Sequence, residues 1–470
     1  MEHSIVVYTA LLGWPCLMVM LLAVFRVNRV AVISIIGGNL FLPVASLVFS
    51  GFPNYTKPLA AGLGALLPAL LAAAPQLFSW RPRPIDLFFL IFLCAPGVSS
   101  LLNGLGGYDA ASATVNRLLE WGVAYWVGRT LFQDAAGMRE LALAFVIGGM
   151  VYAPLCIWES VMSPQLHMQV YGFRPSSFGM TRRWGGWRPM VFMQHGLAVG
   201  AWMASTAVVA WILWRGRVVR TVLGVPMMLI AIGLVVVTIG LRSTGAALLV
   251  VGLIGVAEFV QISRMRLVLL ALLLLPAGYI GVRVGGWDGE QLVALASRFG
   301  EDRAGSLNMR LENDAIIVDR AMEKPLFGWG GWGRWRVRDE FGNDITVSDS
   351  WWGILVGTTG IVGLVAAYGC FMAPLFALIR RRGGGRIFEG AEGAAWAVGL
   401  AILLFVIDTL ANAMPNSSFM LAAGAMSTFV LRGRTGRGST KPPSSRLAVS
   451  RPIPVGTGIN RASPRGIDLR

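Results

Sequence analysis

Three arginines stand where apolar stretches of the chain give way to polar ones: Arg188 before one such stretch, Arg242 between two, and Arg310 at the start of a charged helix-like segment. A guanidinium is a planar fork that grips phosphate oxygens in pairs, so the three are candidate ligands for a diphosphate. Asp349, flanked by Ser348 and Ser350 at the start of another apolar stretch, is a candidate proton acceptor. The same residue types also cap helix starts, which is the competing reading. His195 closes the run Arg188-Pro-Met-Val-Phe-Met-Gln-His195 and is the second candidate base, or simply a boundary histidine. Trp329 and Trp332 lie in Pro325-Leu-Phe-Gly-Trp-Gly-Gly-Trp-Gly333, where they can stack on sugar rings or form an interfacial aromatic belt. No Cys/His cluster suggests a metal, and Cys16, Cys94, Cys156 and Cys370 each lie in an apolar run without Cys-x-x-Cys spacing.

These residues need a scaffold, and the composition says which kind. The 470 residues are 55% hydrophobic and only 14% charged, which excludes a soluble multidomain protein. Windows long enough to cross a ~30 Å hydrocarbon layer fall near 4–25, 31–50, 58–78, 85–102, 113–132, 141–160, 195–214, 221–241, 243–262, 267–284, 351–379, 391–410 and 416–431. The expected fold is therefore an all-α polytopic bundle of about 12–13 transmembrane helices occupying residues 1–432. The net charge of +16 comes from 37 arginines against 3 lysines. Alternate connections are basic: Arg26/Arg29, Arg81/Arg83, Arg129/Arg139, Arg215/Arg217/Arg220, Arg264/Arg266, and Arg380 to Arg382 with Arg386. Positive charge stays on the cytoplasmic side, so the N-terminus is expected outside and the C-terminus inside.

That assignment puts loops 161–194 and 285–350 outside, and both break the charge rule with arginines of their own. In the second, Leu311, Ala315, Val318 and Met322 recur at helical spacing, so Asn308 to Glu323 reads as an amphipathic helix with Arg310, Asn313, Asp314 and Arg320 on its charged face. Pro325 ends it, and the glycines after it allow close backbone turns. Glu120, Glu159 and Asp408 lie near outer span ends, where each is a candidate partner for Arg242. Residues 433–470, rich in Pro, Gly, Ser, Thr and Arg, read as a disordered basic cytoplasmic tail.

The order of these features resembles the O-antigen ligase and O-antigen polymerase family of membrane glycosyltransferases. The likeness covers about residues 170–375: an outer-loop arginine before a span, Thr-x-x-x-Arg-Ser at Thr238–Ser243, the arginine helix, Pro-Leu-Phe-Gly-Trp-Gly, and Ser348-Asp-Ser-Trp-Trp with Gly360-Ile-Val-Gly363. The resemblance implies glycan transfer from an undecaprenyl-diphosphate-linked oligosaccharide to a glycan acceptor at the periplasmic face of a bacterial inner membrane, without metal or other cofactor. It implies diphosphate-holding roles for Arg188 and Arg242 and matches Arg310 to the arginine that opens the family's loop helix. The partners expected are this donor, the acceptor, membrane lipids and other polysaccharide-assembly proteins, with no nucleic acid. The family's ligases usually carry His-Asn where this chain has Asp349-Ser350, and the Ser before the junction arginine is Leu241 here. Those departures point to an exopolysaccharide-type polymerase with Asp349 as the base, rather than a ligase to lipid A core or protein. The alternative from another class is a transporter or flippase of an anionic lipid-linked glycan.

Overall fold

The computed structural model describes residues 4–49, 51, 53–298, 300–381 and 388–435. Residues 436–470, almost all of the segment expected to be a disordered tail, lie outside the described residues, as do Arg382 and Arg386. The protein is 72% helical, and its strands among the described residues form only three two-stranded ribbons. It is an all-α bundle.

Each of the thirteen apolar windows contains a helix. In chain order these are α1 (Ile5–Leu21), α2 (Val27–Phe41), α3 (Lys57–Phe78), α4 (Pro84–Leu102), α5 (107–131), α6 (Ala135–Met162), α7 (Gly196–Arg215), α8 (Met227–Gly240), α9 (Thr244–Ser263) and α10 (Arg266–Val284). After a polar segment carrying α11 (Glu290–Ser297) and α12 (Glu301–Met322), the bundle resumes with α13 (Trp351–Arg381), α14 (Gly393–Asp408) and α15 (Ser417–Thr435). Seven of them, α3, α4, α6, α7, α9, α10 and α13, are long and apolar enough to cross a membrane by length and composition. Fewer helices pass that test than the thirteen windows suggest, and α1, α2, α8 and α14 are apolar but shorter. Leu42 precedes Pro43 and adopts an extended backbone, which ends α2 at Phe41 rather than near residue 50. Helix α5 passes through a π turn at Leu118–Gly122.

Burial sets the order from centre to edge. Of the most apolar 18-residue stretch of α7, 89% is buried, against 28% for α9 and for α10. Helix α7 packs on α6, α8, α9 and α14 at the centre, while α9 and α10 present apolar side chains outward. Small residues bring α5 and α15 together: a Cβ on Gly128 would lie 2.1 Å from the Leu421 carbonyl oxygen, and one on Gly424 would lie 2.2 Å from that of Tyr125. Beside this contact Arg129 donates through Nε to Asp86 Oδ1 at 2.9 Å and through Nη2 to Oδ2 at 3.1 Å, and Tyr125 joins the same carboxylate at 2.8 Å. Arg129 is thus a buried interhelical ligand and not the cytoplasmic loop charge that its place in the sequence suggests.

The helices define two ends. At one, the starts of α2, α6 and α14 meet the end of α7. At the other, the start of α13 bonds the end of α14 through Trp351 N–H and the Thr409 carbonyl at 3.2 Å, and the polar loops cover them. The candidate residues all lie at this second end.

Candidate functional site at one end of the bundle

Helix α13 is broken, and the break positions everything above it. Gly360 sits at φ 66°, ψ −168°, a region open essentially to glycine alone, so the carbonyls of the turn before it lose their helical partners. The chain after Pro325 supplies replacements: Trp329 N–H donates to Gly357 O at 2.9 Å and Gly330 N–H to Thr358 O at 3.1 Å. In return Ile361 N–H donates to Pro325 O at 2.8 Å and Val362 N–H to Leu326 O at 3.1 Å. A Cβ on Gly360 would lie 2.3 Å from Leu326 O, and one on Gly328 would lie 2.7 Å from Gly360 N. The glycines of the Gly-Trp segment therefore serve a backbone-to-backbone junction. Asn103 Nδ2 ties it to α4 by donating to Gly328 O at 2.9 Å.

The junction fixes α12 across the first turns of α13. Leu311, Ile317, Val318 and Ala321 are buried there, so the apolar stripe of α12 faces the bundle. The helix begins at Glu301 rather than Asn308, and two of its residues change sides relative to expectation. Ala315 is exposed, whereas Asp314 is 4% exposed and accepts from Ser350 Oγ at 2.6 Å. Burial first of all pushes the Asp314 carboxyl up to about 6, with Ser350 and Arg283 acting the other way. Arg283, buried at the end of α10, donates to Leu311 O and holds α12 from below.

Loop 161–194 delivers the other side. Its Glu159 anchor, which was a candidate partner for Arg242, accepts instead from the backbone amides of Leu166, Met190 and Val191 at 2.7–2.9 Å. A hairpin pairs Arg182–Arg183 with Gly186–Trp187 around Trp184 and Gly185, both at positive φ as a tight two-residue turn requires. Arg242, at φ 57° between α8 and α9, lays its guanidinium on Gly186, where a Cβ would stand 1.1 Å from Nη1. Arg188 crosses Gly196 at the start of α7 and donates to Arg242 O through Nη2 at 3.2 Å and Nε at 3.4 Å. Arg242 Nη1 is buried without a hydrogen-bond partner. Neither Glu120 nor Asp408 makes an ion pair with it; Asp408 accepts from Asn412 at 2.7 Å.

Arg310 reaches the same place from above. Its Nε lies 3.6 Å from Asp349 Oδ2, and its Nη1 donates to Ala411 O at 3.0 Å beyond the end of α14. His195 caps α7 by accepting the Leu197 amide on Nδ1 at 3.1 Å. The neutral ring then carries its proton on Nε2, which makes that atom a donor rather than a proton acceptor. Burial, followed by Arg188, Arg310 and Arg183, pushes the imidazole down to about 4. Burial, Arg183 and Arg310 likewise lower the Arg188 guanidinium to about 10. Those mutual effects place Arg183, Arg188, Arg310 and His195 in one electrostatic field. Asp349, with its side chain 37% exposed, is the carboxylate paired to it. Such a site has positive charge and donors in excess and is suited to an anion.

The tryptophans separate. Trp329 donates to Arg320 O at 2.8 Å, and its ring is faced by the Arg320 guanidinium at 3.5 Å and by Lys324 Nζ at 4.4 Å, so cations already occupy the surface a sugar needs. Trp332 is 78% exposed and lines a cleft of about 1090 Å³ with Arg320, Arg334, Arg336 and Arg338, on the face of α12 turned away from Arg310. The sequence puts Asp314 on the charged face of its helix instead of the buried one, and it does not single out Arg283. The buried face was legible too: residues 311, 314, 318 and 321 keep helical spacing as well as 311, 315, 318 and 322. Arg283 gave no such signal, since it reads as the ordinary basic end of an apolar helix. Among the described residues no group of three or more His, Cys, Asp or Glu side chains could hold a metal ion. No family model matches the chain, and no curated protein matches it.

Proposed function

We propose that this chain is a multi-pass membrane glycosyltransferase of cell-surface polysaccharide assembly, moving a glycan from an undecaprenyl-diphosphate carrier to a glycan acceptor, as a polymerase of the exopolysaccharide or O-antigen type. The observation that carries the reading is the convergence of Arg188 and Arg310 with His195 and Asp349, with Arg242 joined to Arg188 through its backbone carbonyl and its Nη1 buried and partnerless. The seven long apolar helices support membrane residence, and the basic connections Arg26/Arg29, Arg139 and Arg217 at the opposite end support a site on the periplasmic face of the inner membrane. The acceptor hydroxyl attacks the anomeric carbon, its proton passes to Asp349, and the carbon–oxygen bond to the diphosphate breaks on the opposite side, inverting the centre. Positive charge develops at that carbon while the departing diphosphate gains negative charge. The three guanidinium groups and His195 Nε2–H meet that negative charge.

A transporter reading would use the break in α13 to present free carbonyls to cargo. Those of Gly357 and Thr358 accept loop amides instead, which favours the enzyme. The test uses three variants in cells and with purified protein. Arg242→Lys is expected to lose nearly as much product as Arg242→Ala, because a point charge cannot replace a fork. Asp349→Asn is expected to lose about 10²-fold or more of turnover while still binding donor. Wild-type product from Arg242→Lys removes the diphosphate clamp, and wild-type product from Asp349→Asn removes the base. Accumulated single lipid-linked repeats in a deletion strain identify a polymerase, and unligated polymer a ligase.

A further inference from the structure

The end of the bundle opposite the arginine cluster carries a groove of about 1160 Å³ between α2 and α6. Its mouth is formed where α2 and α6 begin and α7 has just ended. There Arg26, Arg29, Arg139 and Arg217 are all exposed, with Glu140 as the lining carboxylate, 3.6 Å from Arg29. Below the mouth the walls are apolar: Ile33, Ile36 and Leu40 on one side, and Leu143, Ile147 and Val151 on the other. Helix α2 is not regular along this wall. A π turn at Ile33–Gly37 interrupts it, and such turns cluster at functional positions. The twelve steps along the helix from Arg29 to Phe41, like those from Arg139 to Val151, span about 18 Å at ~1.5 Å per residue. One leaflet of a ~30 Å hydrocarbon layer is about 15 Å deep.

We propose that this groove is a binding site for one anionic phospholipid, with its phosphate on Arg26, Arg29, Arg139 and Arg217 and one acyl chain between α2 and α6. The inference rests on the membrane residence proposed above and on nothing else in that reading. Four forks against one carboxylate select a phosphodiester over a zwitterionic headgroup, which brings its own cation into the same field. The match of groove length to one leaflet selects an ordinary acyl chain over a carrier long enough to cross both. A convex lipid-facing surface would hold neither part in a defined place.

The test is native mass spectrometry of the full chain released from nanodiscs of equimolar phosphatidylglycerol and phosphatidylcholine with identical acyl chains. Wild-type protein is expected to retain phosphatidylglycerol over phosphatidylcholine by about tenfold or more, given the attraction of each arginine near anionic headgroups. Arg26→Gln/Arg29→Gln/Arg139→Gln, which changes exposed side chains only, is expected to bring the ratio near one. Ile147→Trp, which fills the apolar wall, is expected to lower retention of both lipids. Arg242→Ala should leave the ratio unchanged, so the outcome is independent of whether the other end transfers glycan. Equal retention by the wild type, or an undiminished preference in the triple variant, overturns the proposal.

Discussion

Gly186→Ala tests the arginine cluster without touching an arginine. Gly186 lies in a strand of the 182–187 hairpin and does not have a positive φ, so alanine is acceptable to the backbone. The new methyl would stand 1.1 Å from Arg242 Nη1, 2.0 Å from Cζ and 2.4 Å from Nη2. Ordinary contact begins near 3.4 Å, so the guanidinium must retreat by roughly 2.3 Å (3.4 − 1.1). Hydrogen bonds to charged groups tolerate a few tenths of an ångström, so a retreat of that size breaks whatever bonds Arg242 makes to a ligand. Each such bond is worth about 1.5–3 kcal/mol, which corresponds to a fall of about 10- to 150-fold in turnover at limiting donor.

The assay compares Gly186→Ala, Arg242→Ala and the double variant at matched protein levels, reading turnover of the lipid-linked donor. Because both single changes remove one interaction, the double variant should be no worse than Arg242→Ala alone. Wild-type turnover from Gly186→Ala would mean that the guanidinium does not act from the position it holds on the hairpin. Multiplicative losses would mean that the hairpin contributes something other than a seat for Arg242. Either result refutes the reasoning.

Two further outcomes follow from the junction above α13. Gly360→Ala puts a side chain into a glycine-only backbone region and 2.3 Å from Leu326 O, so it should lose at least about 1–3 kcal/mol, seen as a lower unfolding temperature and faster proteolysis between residues 325 and 347. Gly255→Ala, in open space on α9, should lose nothing and serves as the control. Asp314→Asn should remove a pH dependence: with the folded pKa raised from 3.8 to about 6, the folded state holds the extra proton, so stability falls as pH rises from about 4 to about 6. The loss is roughly 3 kcal/mol at ~1.4 kcal/mol per unit, and a stability profile of the Asn variant as steep as that of the wild type over this window would show that Asp314 is not its source.

Helix existence was legible in the sequence because it needs only apolar windows and proline or glycine punctuation. Helix length was less so: the end of α2 at Phe41 follows from Pro43, which the apolar window ran across, and the π turns in α2 and α5 carry no such mark in the sequence. The candidate arginines could be picked out because a guanidinium at the edge of an apolar run needs a reason. Their partners could not: Arg188 bonds a backbone carbonyl 54 residues away, and Arg242 rests on a glycine that carries no chemical signal. Arg129 shows the converse, a charge that looks like a loop arginine until Asp86 and Thr428 close around it. Trp329 reads in the sequence as either a sugar platform or an interfacial belt residue, because the cations that cover its ring, Arg320 and Lys324, lie nine and five residues earlier and fold back over it.

Asp314 and Asp349 illustrate how one helix junction can give two carboxylates different work. Asp314 is 4% exposed, receives the Ser350 hydroxyl and has its ionised form disfavoured by burial, so it is suited to holding α12 on α13 and ill placed to meet an incoming hydroxyl. Asp349 is one residue from Ser350, reaches solvent and faces Arg310 across 3.6 Å, longer than a direct hydrogen bond. Environments that push two carboxylates apart are how a site assigns them separate roles. Arg310 links those roles: it is held to Ala411 O at the end of α14 and leans on Asp349, so an arriving diphosphate competes for the same guanidinium that restrains the carboxylate. On that reasoning the proposed clamp and the proposed base are coupled. Asp349→Asn should then cost about 10²-fold or more of turnover while leaving donor binding no weaker, whereas Asp314→Asn should alter stability first and turnover only as α12 loosens.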